Sequence, residues 1–246
     1  MKYQQWKLPA PGGSAARRRL EESGLPPLCA AVLCARGLDT PEKAGRFLSH
    51  GSELLHDPML LRDMDRAVER IRRGLDSGET ITVYGDYDVD GITSTCLLTE
   101  ALAWLGGRVV SYIPDRTEEG YGLNPAAIAR LAEQGVTLIV TVDCGITAVE
   151  QVEYARSLGV DVVITDHHQC KDAIPAAVAV VDPRRPDCTY PFPELAGVGV
   201  ALKTAQALVP PEQQENVFCR FAELAAIGTV ADVMCLTGEN RAMVRQ

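Results

Sequence analysis

The sequence predicts an α/β domain, a mostly parallel sheet with helices on both faces, preceded by a small helical segment. Two observations carry this. From residue 80 onward, short apolar runs alternate with segments of helical periodicity, as expected of strands buried on both faces and separated by covering helices. Residues 1–78 differ: Met64, Val68, Ile71 and Leu75 recur at helical spacing, and the run breaks at Asp76-Ser77-Gly78. The expected division is a helical extension over 1–78 and an α/β domain over 79–246.

Taken in order, Thr40-Pro41-Glu42 reads as an N-cap followed by proline at the first helical position. Thr80–Tyr84 is a short β-rich run. A helix is expected over Ile92–Leu105, stopped by Gly106-Gly107, and a strand over Arg108–Ile113. Asn124 caps a helix opened by Pro125 and ended near Gly135. Val136–Val142 is a continuous apolar strand. Thr147-Ala148-Val149-Glu150 has the form of a capping box for a helix ending at Gly159. Val160–Thr165 and Ala177–Val181 are further strands, and helices follow near Val200–Leu208 and Gln214–Ile227.

Composition narrows the class. Asp plus Glu outnumber Lys plus Arg by 33 to 24, a net charge of -9. A protein that grips nucleic acid through bulk positive charge is thereby disfavoured. A metal-centred enzyme is not, because bound cations reverse the local field. The local basic groups, Arg17-Arg18-Arg19 and Arg70 with Arg72-Arg73, read as solvated helix faces. No apolar window approaches the roughly eighteen residues of a membrane span. Met1–Trp6 lacks the apolar stretch of a signal peptide. A cytosolic protein is expected, with its eight cysteines reduced and mostly buried.

The chemistry lies just past the strands. Asp86, Asp88 and Asp90 follow the first run, Asp143 follows Leu138–Val142, and Asp166-His167-His168 follows Val162–Thr165. In open α/β sheets, ligands bind outside the carboxyl ends of strands, near a switch in strand order. A lone charge there is costly to bury, and a bound cation resolves that cost. Carboxylates with imidazoles and no convergent thiolates suit Mn²⁺ or Mg²⁺. So many ligands suit a pair of ions, an arrangement that hydrolyses phosphoesters. Singly the signals are weaker. Asp86–Gly91 also fits a Ca²⁺ loop, and Asp143 fits either a helix cap near Thr147 or a ligand.

Together the residues form a known pattern. Val83–Ser94 resembles the first motif of the DHH phosphoesterase superfamily, and Thr141-Val142-Asp143-Cys144-Gly145 resembles the second. Asp166-His167-His168 matches the signature that names it, and Gly228–Met234 resembles the fourth motif. Within the superfamily the chain is most similar to the RecJ family of bacterial single-strand-specific exonucleases. That similarity rests on Gly85-Asp86-Tyr87-Asp88, Ile113-Pro114-Asp115-Arg116 with Glu119–Leu123, Leu195–Gly199, and Gly238-Glu239-Asn240-Arg241.

The resemblance implies 5′→3′ hydrolysis of single-stranded DNA to 5′-mononucleotides, in repair and recombination, with two Mn²⁺ or Mg²⁺ ions. It implies Asp88, Asp90, Asp143, His167 and Asp232 as metal ligands, with Asp143 the bridge. It gives His168 a contact to the scissile phosphate, and makes Asp86 a supporting residue or a ligand of the weaker ion. Arg116 would meet a DNA phosphate, or else pair with Glu118 or Glu119. A single-strand-binding protein and a helicase are the implied protein partners. RecJ proteins are much longer, with a second substrate-binding domain and an OB fold, so a catalytic fragment is expected. The alternatives are a small-phosphate relative, such as a pyrophosphatase or a nano-RNA or cyclic-dinucleotide phosphodiesterase, and a non-catalytic scaffold. Those small-phosphate relatives commonly carry histidine where this chain has Tyr84, four residues before Asp88.

Overall fold

In the computed structural model of the chain, residues 13–49, 54–171 and 173–246 are described. The chain divides into two compact units, residues 1–50 and 51–246. The first contains helices α1 (Ser14–Glu22), α2 (Pro27–Ala35) and α3 (Pro41–Leu48). Their small core is built on Leu20, Ala30, Leu33 and Ala44. As the sequence suggests, Thr40 caps α3 by accepting the Lys43 N–H, and Pro41 opens the helix. Arg17, Arg18 and Arg19 are exposed on α1.

The boundary falls earlier than residue 78. Helix α4 (Met64–Asp76) belongs to the second unit, because Met64, Val68 and Ile71 bury their apolar stripe in its main core. Nor is Arg70 on a solvated face: it is buried and donates to Glu79 at 2.7 Å and Asp161 at 2.5 Å. The second unit carries a five-stranded, all-parallel sheet in the order β2-β1-β3-β4-β5. Its strands are β1 (Thr80–Tyr84), β2 (Arg108–Tyr112), β3 (Val136–Val142), β4 (Asp161–Thr165) and β5 (Ala179–Val181).

Strand residues alternate between two cores, as the two-residue period of a strand requires. Ile81, Val83, Leu138, Val140, Val142 and Val181 face the larger one. It is completed by α4, α5 (Val89–Trp104), α8 (Gly197–Ala207) and α9 (Gln214–Ala231). Ile139, Val162, Ile164 and Val180 face the other, covered by α6 (Pro125–Glu133) and α7 (Val149–Ser157). Helix α10 (Gly238–Arg245) ends the chain. Among the described residues, no helix is long and apolar enough to cross a membrane.

Local expectations fail in two places. The capping box at Thr147 does not form: a turn closed by the Ala148 N–H on the Gly145 carbonyl delays the helix to Val149, without a side-chain cap. The cysteines are all free, but Cys29, Cys96, Cys219 and Cys235 are exposed. Helices turn the first three to solvent, Cys235 lies in the connection between α9 and α10, and only Cys34 and Cys144 are buried.

Candidate metal centre

Register brings the polar clusters together. Thr141 lies opposite Tyr84, Val142 opposite Thr165, and Thr165 opposite Val181. The residues that follow β1, β3, β4 and β5 therefore share one edge, at the point between β1 and β3 where strand order reverses.

The segment after β1 is a tight strand-to-helix turn. Asp88 is the N-cap of α5, its Oδ1 accepting the Gly91 N–H at 2.9 Å, so α5 starts earlier than its apolar pattern suggests. That geometry replaces the Ca²⁺-loop reading. Gly91 must be glycine, since a Cβ there would lie 2.5 Å from the Asp86 carbonyl oxygen. Asp90 falls in the first turn of α5 and is 2 % exposed. Both its oxygens are held by the start of α8: Gly197 N–H donates to Oδ2 at 2.7 Å and Val198 N–H to Oδ1 at 2.9 Å. A helix N-terminus favours an anion there. Burial nevertheless pushes Asp90 up to about 6, against those two N–H groups.

Asp143 occupies the left-handed region at φ 58° and is 2 % exposed. Its Oδ1 has no hydrogen-bond partner, and it caps no helix, which removes the capping alternative. Burial, reinforced by the charges of Asp90, Asp88 and Asp166, pushes it up to about 10. His167 Nε2 lies 3.0 Å from Asp143 Oδ1, without hydrogen-bond alignment, and 3.7 Å from both Asp90 and Asp232. Asp232 is the C-cap of α9, which explains why no strand precedes it. Burial also raises Asp86, with Asp88 adding to the effect.

The ligand atoms fall into three overlapping groups, each within 4.8 Å: Asp86, Asp88 and Asp143; Asp90, His167 and Asp232; Asp143, His167 and His168. Sequence reasoning thus named seven residues that the fold does gather. Arg116 is different. It lies over the Tyr87 ring at 5.1 Å, at the rim. Glu119 is engaged by Tyr112 and Arg130 instead, so that ion-pair alternative is absent.

Two supporting residues were less legible. Asp166 is 1 % exposed and spends both oxygens inward: Oδ2 accepts the Ile146 N–H at 2.9 Å, and Oδ1 accepts the His167 N–H and the His168 ring at 2.7 Å. Burial would raise it, but these bonds hold it below the usual carboxylate range. It therefore acts on His168 rather than as a ligand, and its hydrogen bond lifts His168 to about 9. Tyr121 directs its hydroxyl to the Asp143 carbonyl at 3.4 Å and to His168 Nδ1 at 3.5 Å.

Residues 80–229 match the model of the DHH family, N-terminal domain. The chain belongs to this DHH family. It is 44% identical over 237 residues to the single-stranded-DNA-specific exonuclease RecJ of Bacillus subtilis (strain 168), covering 96% of this chain and 30% of that protein. It is 37% identical over 246 residues to RecJ of Escherichia coli (strain K12), covering 94% and 42%. The DHH chain thus spans less than half the length of these relatives. Among solved structures it resembles RecJ in complex with Mn²⁺ from Thermus thermophilus, at TM-score 0.75 and 31% identity over 95% of this chain and 33% of that one. An exonuclease RecJ bound to manganese gives TM-score 0.67 and 37% identity over 78% and 48%.

Proposed function

We propose that this chain carries the metal centre of a single-stranded-DNA exonuclease that degrades from the 5′ end. One observation carries the reading: two carboxylate-rich ligand groups meet where Asp143 faces His167 at 3.0 Å. Buried oxygens without partners on Asp86 and Asp143 fit a hard cation, and the mixed carboxylate and imidazole set fits Mn²⁺ or Mg²⁺. RecJ relatives at up to 44% identity, and RecJ structures in complex with Mn²⁺, support the same assignment.

Asp86, Asp88 and Asp143 would hold one ion, and Asp90, His167 and Asp232 the other, with Asp143 between them. When bound, such a pair supplies an activated water and charge neutralisation at the phosphoryl group. The rest is done by the chain itself. Helix α8 fixes Asp90. Asp166 keeps His168 protonated and oriented, so that an imidazolium faces the developing charge on the phosphate. Arg116, stacked on Tyr87, offers a guanidinium at the rim for a neighbouring phosphate. Tyr84 turns its hydroxyl away from the centre, to the Gly122 carbonyl and Asn124. It supplies no ligand in place of the histidine of the small-phosphate relatives. Such an enzyme would work in the cytoplasm, beside a single-strand-binding protein and a helicase.

The test is Asp143→Ala and His167→Ala, assayed on 5′-labelled single-stranded DNA, pyrophosphate and dinucleotides. Loss of Mn²⁺-dependent DNA cleavage, with folding retained by circular dichroism, is expected. Full activity in either variant, or a preference for pyrophosphate, would overturn the reading.

A further inference from the structure

A fourth strand end supplies a carboxylate that lies outside the four motifs. Asp182 directly follows β5. Because Thr165 pairs with Val181, Asp182 stands at the same sheet edge as Asp166 and His167. Its side chain is fully buried, at 0 % exposure. Oδ1 accepts the Arg184 N–H at 2.7 Å, while Oδ2 is buried and has no hydrogen-bond partner. A buried carboxylate oxygen left unmatched is uncommon enough to require a reason.

The matching unpaired atom is on His167. Its Nε2 points to Asp143, Asp90 and Asp232. Its Nδ1 is buried and likewise has no partner. An imidazole that offers the Nε2 lone pair to a cation carries its proton on Nδ1, and a ligating histidine almost always donates that proton to a carboxylate, a carbonyl or a water. Asp166 does not accept it: its bonds run to Ile146, the His167 N–H and His168, and none reaches His167 Nδ1. Asp90 is committed to α8. The free oxygens of Asp86 and Asp143 belong to the ligand groups. Asp182 remains, at the end of the strand paired directly beside the one that His167 follows.

We propose that Asp182 positions His167: a single buried water bridges Asp182 Oδ2 and the His167 Nδ1–H, fixing the tautomer that presents Nε2 to the metal. A water rather than a direct bond is proposed because neither atom has a direct partner, and buried waters commonly bridge polar groups left unmatched in this way. Asp182 acts through His167 and makes no contact with substrate. The proposal rests on the reading of His167 as a metal ligand.

The test uses Asp182→Asn, which keeps the shape and can retain the Arg184 contact while replacing an acceptor by a donor. Calorimetric titration with Mn²⁺ should give a dissociation constant weaker by about 10- to 100-fold. In ¹⁵N spectra, the His167 ring of the metal-free wild type should be the Nδ1–H tautomer, and that of the variant should shift toward Nε2–H. His167→Ala separates the two ideas. If it leaves Mn²⁺ affinity intact, the ligand reading itself fails. If it weakens binding while Asp182→Asn binds as wild type, only the role of Asp182 fails. A wild-type ring protonated on Nε2 overturns the proposal without any variant.

Discussion

Gly197 is the first residue of α8, and replacing it with alanine tests how the centre is held. At an unconstrained helix position, glycine to alanine stabilises by about 0.4–1 kcal/mol, through the unfolded chain. Here the added Cβ would lie 2.6 Å from Asp143 Cβ and 2.7 Å from its Oδ1. Ordinary contact begins at 3.4 Å, so something must yield by about 0.8 Å, the difference between 3.4 and 2.6. Neither side yields easily. Every residue of α8 is buried, and Asp143 is fixed at φ 58° with its N–H on the Thr165 carbonyl.

Overpacking of this kind costs about 1–3 kcal/mol, so the usual gain should become a net loss of about 1–2 kcal/mol. A shift near 1 Å at a reacting centre costs about 100-fold in rate, and Asp90 moves too, because Gly197 N–H is one of its two anchors. Urea unfolding, Mn²⁺ titration and cleavage of labelled single-stranded DNA measure the three effects. Gly199→Ala is the milder comparison: its Cβ would meet the Leu195 side chain, nearest at Cδ2, 3.1 Å away, so the neighbour need yield by only about 0.3 Å, the difference between 3.4 and 3.1. Gly197→Ala with raised stability and unchanged Mn²⁺ affinity would refute the reasoning.

Val233 follows Asp232 with φ 57°, in the position that glycine usually takes when a helix ends with the Met234 N–H on the Thr229 carbonyl. Val233→Gly should raise the urea midpoint by an amount worth about 1 kcal/mol. Lys203 and Glu239 are fully buried and paired at 2.5 Å, with Glu239 also accepting the His56 N–H and the Tyr190 hydroxyl. Lys203→Met leaves that carboxylate uncompensated and should cost about 3–5 kcal/mol by urea unfolding, while adding Glu239→Gln should recover part of it. Asp143 and Asp90 have folded pKa values above their unfolded ones, at about 10 and about 6, and His168 is raised to about 9. The native state therefore holds more protons than the unfolded chain above about pH 4, and its stability falls as pH rises. The metal-free Tm should be lower at pH 8 than at pH 5, and Mn²⁺ should restore more of it at pH 8; a metal-free Tm that climbs over this range contradicts the sign.

The parts that could be read from the chain are those in which one local signal suffices. Val136–Val142 and Val160–Thr165 are apolar on both faces, so they had to be interior strands, and any acid just beyond them had to lie at a sheet edge. What escaped depends on residues distant in sequence. The clamp on Asp90 comes from Gly197, 107 residues away, and no periodicity reports that two backbone N–H groups will meet one carboxylate. Asp182 follows a strand whose end the sequence does mark, but no motif sets this acid apart, and only the register of β5 on β4 brings it to the same edge. Asp232 needed the ordered motifs, because a helix C-cap carries no such signal. The boundary at residue 78 failed for the same reason: composition changes there, yet α4 must bury Met64, Val68 and Ile71 somewhere, and the sheet is where they go.

An acidic chain can build such a site because the fold neutralises only part of the charge it gathers. Helix α8 answers Asp90, and His168 with backbone N–H groups answers Asp166. Nothing comparable answers Asp143, which is buried among other carboxylates with an oxygen unmatched and its backbone in the left-handed region. Asp86 shares the unmatched oxygen, but Asp143 combines it with a left-handed backbone. A cation held at Asp143 would relieve the unmatched oxygen, and on that reading metal affinity and folding stability would be linked there more tightly than at an acid already satisfied by the protein.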